Sequence, residues 1–266
     1  MPKLIITADD CGLSEANNRY VLDLHERGYL TAASVLTNYP AHQHALEIFR
    51  GCKGLDLGVH LNLTDGAPVA QFAADHPRLL GGDRRFRGQF NLYLRALFFD
   101  KNAIGWIRKE LDMQVRRCCE AGRDPQHITT HQHFHSLPAL REIVHELAAV
   151  YRVRRVRGHD LRALLTPKAL LLRRQRGTSR YSFFMPDYLT AVQRWMKRAP
   201  AEFARRIARL DGTIEIVVHP APAETDADFP ADMEYGPAPR YAEAQFLVKA
   251  IDHMRKLGIA SQPRLD

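Results

Sequence analysis

Four short apolar runs in this chain carry, or stop at, side chains that bind metals or move protons. Leu4-Ile5-Ile6-Thr7-Ala8 runs into Asp9-Asp10, and Leu57-Gly58-Val59-His60-Leu61-Asn62-Leu63 holds His60 in its middle. Gln126-His127-Ile128-Thr129-Thr130 leads into His131-Gln132-His133-Phe134-His135, and Ile214–Val218 stops at His219-Pro220. Short β-prone runs bounded by turn formers read as buried strands. Amphipathic stretches between them predict helices. One runs from a Ser14 cap to Gly28, and others span Ala41–Phe49, Phe90–Phe99, Ile104–Cys119, Ala139–Val150 and Arg240–Leu257. Further strands are expected at Ala32–Thr37 and Val153–Val156, while 160–210 reads as helical or irregular.

Strands alternating with helices predict parallel βαβ units. A barrel brings polar residues from well-separated strand ends to one mouth. The expected fold class is therefore α/β: a single TIM-like (β/α) barrel over 1–266, irregular or with fewer than eight complete units. Loops at 69–88 and 222–239 would rim its mouth, the second carrying Asp226, Asp228, Asp232 and Glu234. No glycine-rich phosphate-binding pattern supports a nucleotide-binding sheet.

If the His131 run continues as a strand, alternation sends His131, His133 and His135 to one face. Three imidazoles together invite a metal or proton transfer. One carboxylate with two imidazoles suits a divalent cation such as zinc. A second carboxylate beside it can act as a base, and a histidine opposite can protonate a leaving group. Together these describe a metal-assisted hydrolase.

The 266 residues are 45% hydrophobic and include no apolar run long enough to span a bilayer. No secretory leader pattern opens the chain, so the expected location is cytoplasmic. Cys11, Cys52, Cys118 and Cys119 lack metal or disulfide spacing and read as buried thiols. The net charge is +8, and Tyr151 to Arg180 concentrates it, with arginines that include Arg152, Arg154, Arg155 and Arg157. Such a run reads as a solvated helical face or as contact with something anionic. Its interleaved leucines suit a membrane surface better than a nucleic-acid groove, which adds a peripheral place at the inner face of the membrane. No nucleic-acid-reading motif is present, and no nucleic acid is expected as a partner.

These segments carry a resemblance. Thr7-Ala8-Asp9-Asp10-Cys11-Gly12-Leu13-Ser14 is similar to the opening motif of the YdjC-like carbohydrate deacetylases, a group that includes chitooligosaccharide and hopanoid-biosynthesis-associated deacetylases. Gly58–Thr64, Pro125–Pro138 and Glu215–Pro220 resemble that family's later motifs, in the same order. The resemblance implies a TIM-like barrel that hydrolyses the N-acetyl group of an amino sugar and releases acetate. Asp10, His60 and His131 would hold one divalent metal ion, zinc or magnesium. Asp9 would be the base for the attacking water, and His219 would protonate the departing amine. His133 and His135 would orient ligands or contact substrate. The substrate would be an oligosaccharide or a lipid-linked glycan; the Arg/Leu-rich segment points to a lipid-linked N-acetylhexosamine rather than a free chitooligosaccharide, and a homodimer follows by resemblance alone. A catalytically inactive sugar-binding protein on the same barrel is the alternative. Two positions depart from the family pattern: Thr129 replaces an Asp and Cys11 a Phe.

Overall fold

The computed structural model describes residues 2–70, 79–89, 91–92, 101–120, 122, 124–158, 181, 183–224, 228–231, 233 and 235–259. Its strands are β1 (Lys3–Cys11), β2 (Ala32–Val35), β3 (Asp56–Leu61), β4 (His127–Thr130), β5 (Arg155–Val156), β6 (Tyr188–Ala191) and β7 (Thr213–Val218). The helices are α1 (Glu15–Glu26), α2 (His42–Arg50), α3 (Lys101–Glu120), α4 (Pro138–Val150), α5 (Pro200–Ala208) and α6 (Pro237–Lys256). The seven strands form one sheet in the order β5-β4-β3-β2-β1-β7-β6, with parallel neighbours throughout.

The sheet is curled into a half-barrel. Arg155 on β5 reaches Asp56 on β3 at 2.7 Å and Glu215 on β7 at 3.4 Å. In a flat sheet β5 and β7 would be separated by four strands. Between β5 and β6 the described residues make a single parallel bridge, Arg155 to Phe184, and no closed barrel. The expected barrel is therefore realised as a curled α/β sheet.

Ser14 caps α1 as expected, its hydroxyl accepting the Asn17 N–H at 3.2 Å. Helical faces such as Ile107, Leu111, Val115 and Cys118 of α3 join strand residues in the main core. The concave side is polar. Asp9, Glu215, Arg155, Arg157 and His127 are all buried, and hydrogen bonds link them into one network with Asp56. Gly58 makes room for part of it. A Cβ there would lie 2.3 Å from the ring of His127, its register partner on β4.

Three expectations are corrected. β6 lies within the stretch expected to be helical or irregular, because four residues are too few to show a period. The histidine cluster does not extend β4: His131–Ser136 is a 3₁₀ turn, with Gln132 and His133 at φ 50° and 54°. Strand alternation therefore does not place these imidazoles. Arg155 and Arg157 are not part of a solvated face but are buried at 4% and 1% exposure. The rest of the basic segment from 159 to 180, most of the expected helix Phe90–Phe99, part of the 69–88 loop, and Asp226, Asp232 and Glu234 lie outside the described residues. Among the described residues no helix is long and apolar enough to cross a membrane.

Candidate metal centre and active site

Adjacent residues of a regular strand point to opposite faces. Asp9 and Asp10 escape that rule through a bulge. β1 pairs Ala8 with Ala33 but Cys11 with Val35, so it holds one more residue than β2 over this stretch. Asp10 takes up the irregularity at φ 61°. Bulges of this kind re-aim side chains beside active sites.

Asp10, His60 and His131 converge. Their ligand atoms lie within 4.8 Å of one another, and all three residues are buried. Asp10 Oδ1 is 2.9 Å from His131 Nδ1 and 3.3 Å from His60 Nε2. Yet this oxygen is fully buried and, beyond its ion pair with His131, has no hydrogen-bond partner among the described residues. Such an acceptor is costly unless something satisfies it. A divalent cation facing one carboxylate oxygen and two imidazole nitrogens would do so, and the donor set fits one.

The remaining atoms of these ligands are held. His60 Nδ1 lies 2.6 Å from Thr129 Oγ1, so its N–H donates there and leaves Nε2 facing Asp10. Thr129, the departure from the family's Asp, thus orients the His60 ring as a neutral acceptor. His131 Nε2 lies 3.1 Å from Asp65 Oδ2. Arg240 on α6 donates from Nη2 to Asp10 Oδ2 at 2.8 Å. Burial opposes charge on His131, but Asp10 and Asp65 outweigh it and lift its pKa to about 10. Burial lowers that of His60. Burial would raise the Asp10 pKa, but His131 and Arg240 hold it well below the usual carboxylate range.

Asp9 sits beside this centre, with Oδ1 3.8 Å from His60 Nδ1. Arg157 grips both of its oxygens, Nη1 donating to Oδ2 and Nη2 to Oδ1 at 2.9 Å. Arg157 is shared with Glu215, whose Oε1 also accepts from Thr7. Against the effect of burial, Arg157 and then His60 keep Asp9 ionised. His219 follows β7, with Nδ1 3.3 Å from Glu243 Oε1, and its backbone N–H donates to the same oxygen. Burial lowers its pKa, but Glu243, Asp10 and Asp9 raise it on balance.

The other two histidines differ. Burial and the nearby Arg157 push the His133 pKa down to about 3, so this ring is neutral, and it lies within the fields of Asp9, His60 and His219. His135 is tied to the Thr130 hydroxyl and, through Nε2, lies 3.4 Å from the Gly158 carbonyl, next to Arg157. The structure thus gathers Asp9, Asp10, His60, His131, His133 and His219 at one end of the sheet.

Residues 3–251 match the family model described as YdjC-like protein. The chain belongs to the YdjC-like family. Proteins named carbohydrate deacetylase are similar to it over part of their length. One from Brevibacillus brevis is 36% identical over 151 residues, covering 57% of each chain. One from Halalkalibacterium halodurans is 32% identical over 151 residues, 56% of this chain and 61% of its own. This YdjC-like chain thus aligns with less than two thirds of those relatives' length. A crystal structure from Enterococcus faecalis superposes with TM-score 0.78 at 24% identity, covering 98% of this chain and 96% of the other, a likeness of fold.

Sequence reasoning missed Asp65, Arg157, Arg240 and Glu243. Asp65 stands just after the His60 motif, and its place in the Thr64–Pro68 turn was the only local signal. The two arginines reach the site from β5's end and from α6, and nothing in their neighbourhoods marks them.

Proposed function

We propose that this YdjC-like protein is a divalent-metal-dependent deacetylase that removes the N-acetyl group from an amino sugar and releases acetate. The observation that carries this reading is the convergence of the buried Asp10 Oδ1 with two imidazoles, with no donor to that oxygen beyond them among the described residues and an ionised Asp9 beside it. Relatives named carbohydrate deacetylase support the substrate class.

Asp10, His60 and His131 would hold the cation, which supplies water activation and polarisation of the acyl oxygen. Asp9 accepts the proton of the water that attacks the acetamide carbonyl. Arg157 fixes that carboxylate so that its lone pairs face the site. His219, with Nδ1 held by Glu243, carries the proton that the departing amine needs. The neutral His133, within the fields of Asp9 and His219, would donate a hydrogen bond to the substrate without adding charge.

Within this reading a lipid-linked N-acetylhexosamine remains the preferred substrate subclass, with the protein active as a single domain at the membrane surface. The leucine-rich part of the basic segment supports it; Arg155 and Arg157, being internal, do not. The test is acetate release from free, oligomeric and lipid-linked N-acetylglucosamine, with and without chelator. Chelator-sensitive release supports the deacetylase, and the preferred member of the panel identifies the carrier. Metal binding with no release from any member would overturn the substrate class. Sugar binding with neither metal nor release would favour the inactive sugar-binding alternative.

A further inference from the structure

Arg240 is fully buried at 1% exposure, on the first turn of α6, the helix that also brings Glu243 to His219. An isolated guanidinium in such a place is costly, so its partners are informative. Nη2 donates to Asp10 Oδ2 at 2.8 Å, and Nε donates to the Tyr235 carbonyl at 2.6 Å. The guanidinium carbon lies 5.3 Å from the Tyr235 ring centre and 5.8 Å from that of Phe229. Arg240 thus touches Asp10 with Nη2, and the rim segment before α6 with Nε and the face of its guanidinium, while Nη1 is buried without a hydrogen-bond partner among the described residues.

That rim segment has its own apolar seat. Met233 joins Leu13, Leu36 and Tyr39 in a small cluster separate from the main core, and Phe229 packs against it. The Tyr39 hydroxyl donates to the Met233 sulfur at 3.2 Å. Leu13 stands three residues after Asp10, just past β1, and Leu36 follows β2. The Tyr235 ring stands edge-on to His219, with centres 6.1 Å apart. The segment therefore covers the edge of the site, and Arg240 is the polar link from it to Asp10.

From this geometry we infer that Arg240 is a positioning residue that makes metal affinity depend on the seating of the rim segment. The inference rests on Asp10 being a metal ligand, as proposed above. A carboxylate free to rotate loses that freedom on binding a cation. With Oδ2 held by Arg240, only Oδ1 faces the imidazoles, and less ordering remains to be done. Orienting partners of metal ligands are typically worth ~10–100-fold in affinity. The positive charge of Arg240 acts the other way by repelling a cation, so the test must separate position from charge.

Arg240→Lys does so, because it keeps the charge and loses the fork that spans Asp10 and Tyr235. Cobalt(II), whose absorption reports its ligands, would be titrated against a competing chelator into the full-length protein and its variants. The set is wild type, Arg240→Lys, Phe229→Ala, and both changes together. The expected result is at least a tenfold loss of affinity in Arg240→Lys and a smaller loss in Phe229→Ala. The double variant should be no weaker than Arg240→Lys alone, since both act through one link. Wild-type affinity in Arg240→Lys, or losses that multiply in the double variant, would overturn the inference. If wild type and His131→Ala bind cobalt equally, the metal centre itself is misassigned and the inference falls with it. Melting in excess chelator identifies any variant that fails to fold. Should Arg240→Lys fail, Phe229→Ala and Met233→Ala decide the matter, and unchanged affinity in both overturns it.

Discussion

Asp9 and Asp10 are neighbours with different tasks, and their partners explain the division. Asp10 gives one oxygen to Arg240 and leaves the other for a cation. Asp9 gives both oxygens to Arg157 and in the proposed mechanism is the proton acceptor. Asp9→Asn should therefore lower kcat for acetate release by ~10²–10⁴-fold, with metal content unchanged by elemental analysis. Loss of the metal together with activity would instead make Asp9 a ligand. Thr129→Val removes the acceptor of the His60 N–H. It should weaken metal binding by ~10–100-fold, and Thr129→Asp should restore it in the same chelator competition. His131, raised to about 10 in the metal-free site, holds a proton at neutral pH. A cation must displace that proton. Affinity should then rise with pH between neutrality and about 10, and calorimetry in buffers of different ionisation enthalpy should show about one proton released. No buffer dependence would contradict this.

At the scale of elements, the glycine of the Gly58-Val59-His60 motif has a packing reason. It lies opposite His127 on β4, and the ring occupies the space that a side chain would need. Gly58→Ala should cost ~1–3 kcal/mol, read as a lower urea midpoint with an unchanged slope. The same glycine helps to set where His60 stands, because β3 and β4 are paired through this register. Strand and helix existence was legible in the sequence wherever apolar period and cap agreed, as at Ser14 and along α3. It was not legible for β6, nor for the turn after Thr130. The histidines there alternate on paper as in a strand, yet the chain turns left-handed at Gln132 and His133.

Across the whole molecule, the concave side of the sheet holds a charged network that runs from Asp9 through Arg157, Glu215 and Arg155 to Asp56 and His127. His127 ends it as a neutral ring, its Nδ1–H donating to Asp56 and its Nε2 accepting from Ser34. Burial, then Arg155, holds its pKa below 6.5. The unfolded chain binds a proton there that the folded chain refuses. The stability from this group is therefore present above pH 6.5 and is lost as pH falls from there toward the folded value. One such group changes the slope by at most ~1.4 kcal/mol per pH unit. His127→Gln should give a flatter dependence than wild type in urea unfolding between roughly pH 7.5 and 5.5. Identical slopes would mean that His127 titrates alike in the folded and unfolded chain.

The sequence by itself determined the strand–helix alternation, the half of the site made by Asp9, Asp10, His60, His131 and His219, and membership of the YdjC-like family. Those residues lie in or just after short apolar strand runs, which are written locally. Only the tertiary structure decided what surrounds them. Arg157, Arg240, Asp65 and Glu243 become partners because the sheet curls and the helices return to its mouth. In the sequence an arginine looks the same whether it faces water or a buried carboxylate. For the two arginines, charge pairing depends on carboxylates more than a hundred positions away, and those distances close only on folding.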